Sequence, residues 1–425
     1  MLTNELLTAV KNGKKDAALC ALYGDAALET QRTRYAEAIA EFGKLYGERE
    51  VNVFTVAGRS EISGNHTDHN HGCVIAASID LDIIAVAAKR DDSVIRVKSA
   101  GFPEDVVDIT DTRVDENRFY TSASIITGVC RGFSDKGFCI GGYDAYTTSS
   151  VLKGSGLSSS AAFEDMIGTV LNWFYNNGSV TAPEIAKISQ FAENKYFGKP
   201  CGLMDQVACA SGGFVAIDFA DPAKPVIEPL DFDLTAQGYS LCIVNTGGNH
   251  ADLNEDYASV PAEMKAVASY FEKPVLREVT LEMLIPAIPA LRSRFGDRAV
   301  LRAFHFIHEN VRVKEQTAAL RAGNLEAFLA GVLASGDSSF KYLQNVYTTK
   351  NVAEQGLSLA LALAQSYLSA RGGAWRVHGG GFAGTTQAFV RNEDVPGYRS
   401  LMDGVFGVGA CIVLRVRPVG AGKVL

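Results

Sequence analysis

Two α+β domains are what this sequence predicts, and three observations carry that expectation. The chain is 425 residues long, about three times the commonest domain size, which favours two domains over one. Strand-like and helix-like stretches are mixed in both halves without strict βαβ alternation. Between the halves, residues 218–233 are rich in Asp and Pro and nearly free of periodicity. The division is expected there, giving a first domain over residues 1–225 and a second over 226–425.

Taken in order, the first fifty residues read as helical, with Leu2, Leu6 and Val10 on one face. Residues 51–56 alternate as a strand that runs straight into Gly58 and Arg59. Strands are expected at 79–88 and 93–99, a helix near 117–132, and a further strand at 143–150 that ends at a glycine-serine segment. A helix over about 161–175 follows, and Thr181 with Pro183 announces another by a cap and a first-turn proline. Beyond the boundary come a strand at 239–245, helices near 261–273, 298–321, 324–334 and 352–370, and β segments around 387–390 and 411–416.

Composition narrows the function classes. Forty Lys and Arg against 48 Asp and Glu give a net charge of -8, which argues against a general nucleic-acid binder. The eight cysteines are scattered without a C-x-x-C pair, so the chain reads as reduced and intracellular. The most apolar run is interrupted by Asp80 and Asp82, and Glu5 and Lys11 interrupt what would be the core of a signal peptide. A cytoplasmic protein away from membranes is expected.

Four segments carry chemistry. The first, GSGLSSSAA at 154–162, combines two glycines with three hydroxyls at a helix start. Free amides and the helix dipole there suit an anion, and the hydroxyls suit phosphate or Mg²⁺. The bland alternative is a Gly-Ser loop with a serine cap. A Walker A loop is excluded, since no Gly-Lys is followed by Ser or Thr. The second, GRSEISGNHTDHNHG at 58–72, packs three of the seven histidines behind a strand. Its His66, Asp68, His69 and His71 suit either metal ligation or hydrogen bonding to a polyhydroxylated substrate, and a solvated turn is the structural alternative. The third, AENKYFGKPCGLMDQ at 192–206, sets Asp205 among Leu203, Met204 and Val207, a costly place for a carboxylate without a partner or a task. The fourth, VHGGGFAG at 377–384, has four glycines in six residues and implies close backbone approach.

In this order the four segments resemble the GHMP family of small-molecule kinases, and within it the galactokinase branch. Residues 58–68 are similar to the galactokinase sugar motif GRxNxIGEHTDY, 156–162 to the family's phosphate loop, 201–206 to its catalytic segment and 379–384 to its third glycine motif. The resemblance implies a two-domain α+β fold with the active site in the cleft between domains. It implies that Gly154, Ser155, Gly156, Leu157, Ser158, Ser159 and Ser160 wrap the phosphates of ATP, that Ser160 and Glu193 hold Mg²⁺, and that Asp205 is the catalytic carboxylate with Arg59 as its partner. Sugar hydroxyls would be held at Asn65, His66 and Asp68, with a later tyrosine at Tyr257 in NHADLNEDY.

The implied reaction is ATP-dependent phosphorylation of the anomeric hydroxyl of a hexose, galactose first. A kinase of N-acetylgalactosamine or galacturonate and a non-catalytic sugar sensor are the alternatives, with a histidine-based metal hydrolase behind them. Several positions depart from the pattern, among them Asn65 for Glu, His69 for Tyr, Val151 for a loop proline and Ala383 for Gly. Asn65 matters most, because the resemblance sets that glutamate facing the sugar. On this reading Asn65→Glu should tighten galactose.

Overall fold

The computed structural model describes residues 1–152, 156–248 and 253–425. Its first part contains helices α1 (Thr3–Lys11), α2 (Asp16–Tyr23) and α3 (Leu28–Tyr46), then strands β1 (Asn52–Ser63), β2 (Cys73–Lys89), β3 (Val94–Ser99) and β4 (Glu104–Asp108). Helix α4 (Ser122–Asp135), strand β5 (Tyr143–Ser149), helices α5 (Ser159–Tyr175), α6 (Ala182–Ala192) and α7 (Met204–Ser211), and strands β6 (Phe214–Asp218) and β7 (Val226–Leu230) follow. The rest contains β8 (Tyr239–Asn245), α8 (Asn254–Tyr270), α9 (Leu281–Phe295), α10 (Asp297–Arg321), α11 (Leu325–Ser338), α12 (Gly356–Leu368), β9 (Ala374–His378), β10 (Thr385–Arg391), α13 (Val395–Phe406), β11 (Cys411–Leu414) and β12 (Ala421–Lys423).

Two sheets organise these elements. The larger runs β12-β1-β2-β5-β3-β4, with β6 and β7 added along the first half of β2; the smaller runs β11-β8-β10-β9. Side chains of β2 alternate across the larger sheet, as strand geometry requires. Ile83, Ala85 and Ala87 pack with Ile125, Met166 and Ile188 of α4, α5 and α6, whereas Ile84, Val86 and Ala88 pack with Leu6, Leu19 and Ile39 of α1, α2 and α3. A further cluster joins the two sheets, with Ile62 and Ile75 against Leu241, Phe389 and Val332. The functional segments lie around this junction.

Strand β1 is buried from Val53 onward, and its register with β2 slips between Ala57 and Arg59 and again between Glu61 and Ser63. Such bulges bend a strand and re-aim its side chains, so they bracket the stretch that carries Arg59 and Glu61. Burial on both faces removes polar alternation, which is why β1 and β2 outrun the lengths expected from pattern alone. Helix α9 went unpredicted because Pro286 and Pro289 lie inside it. Sheet membership also crosses residue 225: β7 pairs with β6 and β12 with β1, both in the larger sheet. Arg417, entering ahead of β12, forms a fully buried ion pair with Asp82 of β2 at 2.8 Å. Among the described residues no helix is long and apolar enough to cross a membrane.

Candidate active site

Asp205 sits in the first turn of α7, after a π-helical turn over Glu193–Phe197 and a left-handed Gly198. A carboxylate there faces the positive end of the helix dipole. Arg59 donates to Asp205 Oδ1 through Nε at 2.8 Å and Nη2 at 2.7 Å. Ser158 donates to Oδ2 at 2.5 Å from a backbone with φ of 59°. Arg59 also donates from Nη1 to the Gly156 carbonyl and from its backbone amide to Leu157 O at 3.1 Å. The arginine side chain is 9% exposed and the carboxylate 35%, so the cation is locked inside while the acid is partly open to solvent. A side chain at Gly58 would bring a Cβ to 3.0 Å from Leu157 O, which explains glycine at that close approach. His378 bonds Ser60 and Thr385 and lies beside Gly156. Burial first, then Arg59 and Arg376, holds its ring well below the ordinary pKa.

Of the expected phosphate-binding residues, Gly154 and Ser155 lie outside the described residues. Gly156, Leu157 and Ser158 lead into α5, which begins at Ser159 and carries Ser160 exposed in its first turn. The first amides of a helix have no intrahelical partner, so this end offers donors to an anion. One turn on, on the face of Ser160, is Glu164. Its Oε2 and that of Glu193 both accept from the Gln206 amide, at 3.0 and 2.9 Å. Both glutamates are buried, and Lys199 pairs with Glu193 at 3.2 Å. Burial and then the neighbouring Glu193 push the Glu164 carboxyl well up. Ser160 and the Glu193 carboxylate are oxygen donors of the hard kind that Mg²⁺ prefers.

The sugar-motif residues gather on the third glycine segment, whose successive carbonyls each accept a bond. Gly379 O accepts from Asn65 Nδ2 at 2.7 Å, Gly380 O from His66 Nε2 at 2.9 Å, and Gly381 O from the Tyr257 hydroxyl at 2.8 Å. A Cβ at Gly380 would lie 2.7 Å from the Tyr257 ring, and one at Gly381 1.9 Å from Asn345 O. Asp68 faces the catalytic segment, its Oδ2 only 2.8 Å from where a Gly202 Cβ would stand. Burial raises its carboxyl and His66 opposes that rise. Asn65 is fully buried. Its Nδ2 also donates to Glu61 at 2.9 Å, and its Oδ1 accepts from Asn345 at 2.7 Å and Ser339 at 3.3 Å. All four hydrogen-bonding positions of its amide are therefore spent on protein.

Several residues of this site escaped the sequence reading. His305 donates to Asn65 O at 2.8 Å and meets Ser338 at 2.9 Å, and Glu309 accepts from Gly64 N at 3.0 Å and from Ser63. They stand four apart on α10, one face of a helix, and that spacing is the signal that could have found them. Glu164 sits four residues after Ser160, and Gln206 adjoins Asp205. The metal-ligand alternative for His66, Asp68, His69 and His71 finds no support in the geometry: no group of three His, Cys, Asp or Glu among the described residues is arranged to hold a metal ion. His69 is instead packed inward, its pKa brought down to about 3 by burial and then His66.

Two family descriptions match the chain, the GHMP kinases N terminal domain over residues 124–213 and the galactokinase galactose-binding signature over residues 40–89. A galactokinase of Streptomyces coelicolor is 29% identical over 382 residues, covering 88% of this chain and 94% of the relative. A galactokinase of Glaesserella parasuis is 33% identical over 367 residues, covering 85% and 91%. Among solved structures, Lactococcus lactis galactokinase complexed with galactose aligns with a TM-score of 0.75 at 25% identity, over 92% of this chain and all of that one. A mevalonate kinase shares the fold, with a TM-score of 0.60 at 13% identity.

Proposed function

The chain belongs to the galactokinase family of GHMP kinases, and we propose that its Asp205, Arg59 and Ser158 form the centre at which the family's reaction occurs. That reaction is ATP-dependent phosphorylation of the anomeric hydroxyl of galactose. The observation that carries the assignment is the single hydrogen-bonded cluster of Arg59, Asp205, Ser158 and Gly156 O, which ties the phosphate loop to the acceptor side.

Phosphoryl transfer asks little covalent work of a protein; it needs in-line placement and neutralisation of phosphate charge. The amides at the start of α5, with Ser159 and Ser160, receive the phosphates of ATP. Asp205 presents its outer face to the sugar and takes the proton of the attacking hydroxyl as the new oxygen–phosphorus bond forms and the bond from the γ-phosphorus to the bridging oxygen breaks, releasing ADP. Arg59, fixed on one carboxylate oxygen, keeps the acid ionised and stabilises the developing charge. His66, Asp68 and Tyr257 line the sugar side, and Asn65 acts there through the protein groups it holds. Ser160 and Glu193 are the residues that would hold Mg²⁺, with Gln206 and Glu164 setting the orientation of Glu193; the ion would supply charge neutralisation on the phosphates. The chain division near residue 225 stands as part of the same proposal, with β7 and β12 added to the first sheet.

The test is ADP release with galactose, glucose, N-acetylgalactosamine and galacturonate, with the phosphate position of the product determined. Galactose 1-phosphate as the preferred product supports the reading. A phosphate elsewhere on the ring, or a derivatised sugar preferred more than about tenfold in kcat/KM, overturns it.

A further inference from the structure

We propose that Glu61 and Asn65 act as one unit, a carboxylate–carboxamide pair that positions the sugar loop, with its two members exchanged relative to the motif this chain resembles. The identity of the sugar rests on the reading above; the pairing rests on geometry. Aligned from Gly58, the motif GRxNxIGEHTDY has Asn where this chain has Glu61 and Glu where it has Asn65. The two departures are opposite in kind. Together they keep one carboxylate and one carboxamide at these two positions, and in this chain the two are bonded, from Asn65 Nδ2 to Glu61 Oε1 at 2.9 Å.

The surroundings match this arrangement of the charge. Glu61 meets Arg376 of β9, whose side chain is wholly buried, with Nη2 at 3.1 Å from Oε1 and Nη1 donating to Ile62 O at 2.5 Å. The carbonyl of Gly379 can only accept, so Nδ2 must face it and the orientation of the Asn65 amide is settled. Donors from Asn345 and Ser339 occupy the other end. His305 holds the Asn65 main-chain carbonyl from α10. The peptide leading into His66, which has a φ of 57°, is thereby clamped from three elements. Asn65 exposes no surface, so it is a positioning residue.

A carboxylate placed at 65 alone would stand against the Glu61 carboxylate and the Gly379 carbonyl. Two like charges in buried contact are costly, and the loop would shift to separate them. Neutralising Glu61 at the same time removes that repulsion.

The experiment is a double-mutant cycle on the full chain with near-isosteric changes: Asn65→Asp, Glu61→Gln and E61Q/N65D. Readouts are kcat, KM for galactose, KM for ATP and melting temperature. N65D is expected to raise galactose KM by about tenfold or more while ATP KM moves less than about threefold, and the double variant is expected to recover most of that loss. Effects that multiply in the double variant, or galactose and ATP KM rising together, overturn the pairing. Should N65D not fold, recovery of folded protein in E61Q/N65D supports the pair and failure of both overturns it. If the wild-type chain turns over no galactose, the functional reading fails by itself. The melting-temperature cycle still decides the pair: recovery in the double variant upholds it and additive losses overturn it.

Discussion

Replacing Asp205 by Asn changes one charge and almost no volume, which makes it the sharpest probe of the proposed chemistry. Asn keeps an oxygen where Arg59 donates at 2.8 and 2.7 Å, and the Ser158 hydroxyl, now facing an NH₂ group, can rotate to accept. The cluster should hold its shape at a stability cost of about 1–2 kcal/mol for weakening charge-assisted bonds. What is lost is the group that accepts the sugar's proton and, with Arg59, stabilises the attacking oxygen. Either function is worth about 10²–10⁴ in rate, so kcat should fall by that factor. The substituted group touches the phosphate loop through the Ser158 hydroxyl and not through the loop's amides, so KM for ATP should change by less than about threefold. The assay is ADP release at saturating galactose across an ATP titration, beside an unfolding curve for each protein. Ser158→Ala is the control: it keeps the charge, loses one aiming bond, and should cost only about tenfold. Turnover in Asp205→Asn within about threefold of wild type would refute the catalytic assignment.

Ser160→Ala and Glu193→Gln should each raise the Mg²⁺ concentration needed for half-maximal rate, because each removes a hard oxygen donor; an unchanged Mg²⁺ titration in both would put the metal elsewhere. Stability should fall as pH drops below the ordinary histidine value of 6.5, because buried His305, held near pKa 4 chiefly by its burial, and buried His378 stay neutral in the fold. The unfolded chain takes up protons in that window and the folded chain does not, so each histidine costs about 1.4 kcal/mol per pH unit until its folded pKa is reached. Urea midpoints that stay flat from about pH 7 to pH 5 would contradict this, and His305→Gln should give a shallower slope than wild type.

The sequence by itself determined the chemistry on offer. Glycines, serines and Asp205 recur in an order that names a phosphate loop and a catalytic segment, because close backbone approach and charge handling admit few substitutes. Strand β8 was legible to the residue and α10 nearly so, the first as a short apolar run set between Gly238 and Gly247, the second by its helical period. Doubly buried β1 and β2, and proline-bearing α9, did not announce their lengths or their presence. Only the tertiary structure decided who meets whom. It joined Arg59 to Asp205 across 146 positions, brought His305 and Glu309 onto the sugar loop, and returned Arg417 to Asp82. It also reversed the expectation for Asn65→Glu. Read alone, Asn65 is a missing carboxylate facing a sugar. In the fold it is a buried amide bonded to Glu61, so a new carboxylate there should weaken galactose binding instead of tightening it. Residue identity sets what a side chain can do, but whether it faces substrate or protein depends on contacts between segments hundreds of residues apart, which no local pattern encodes.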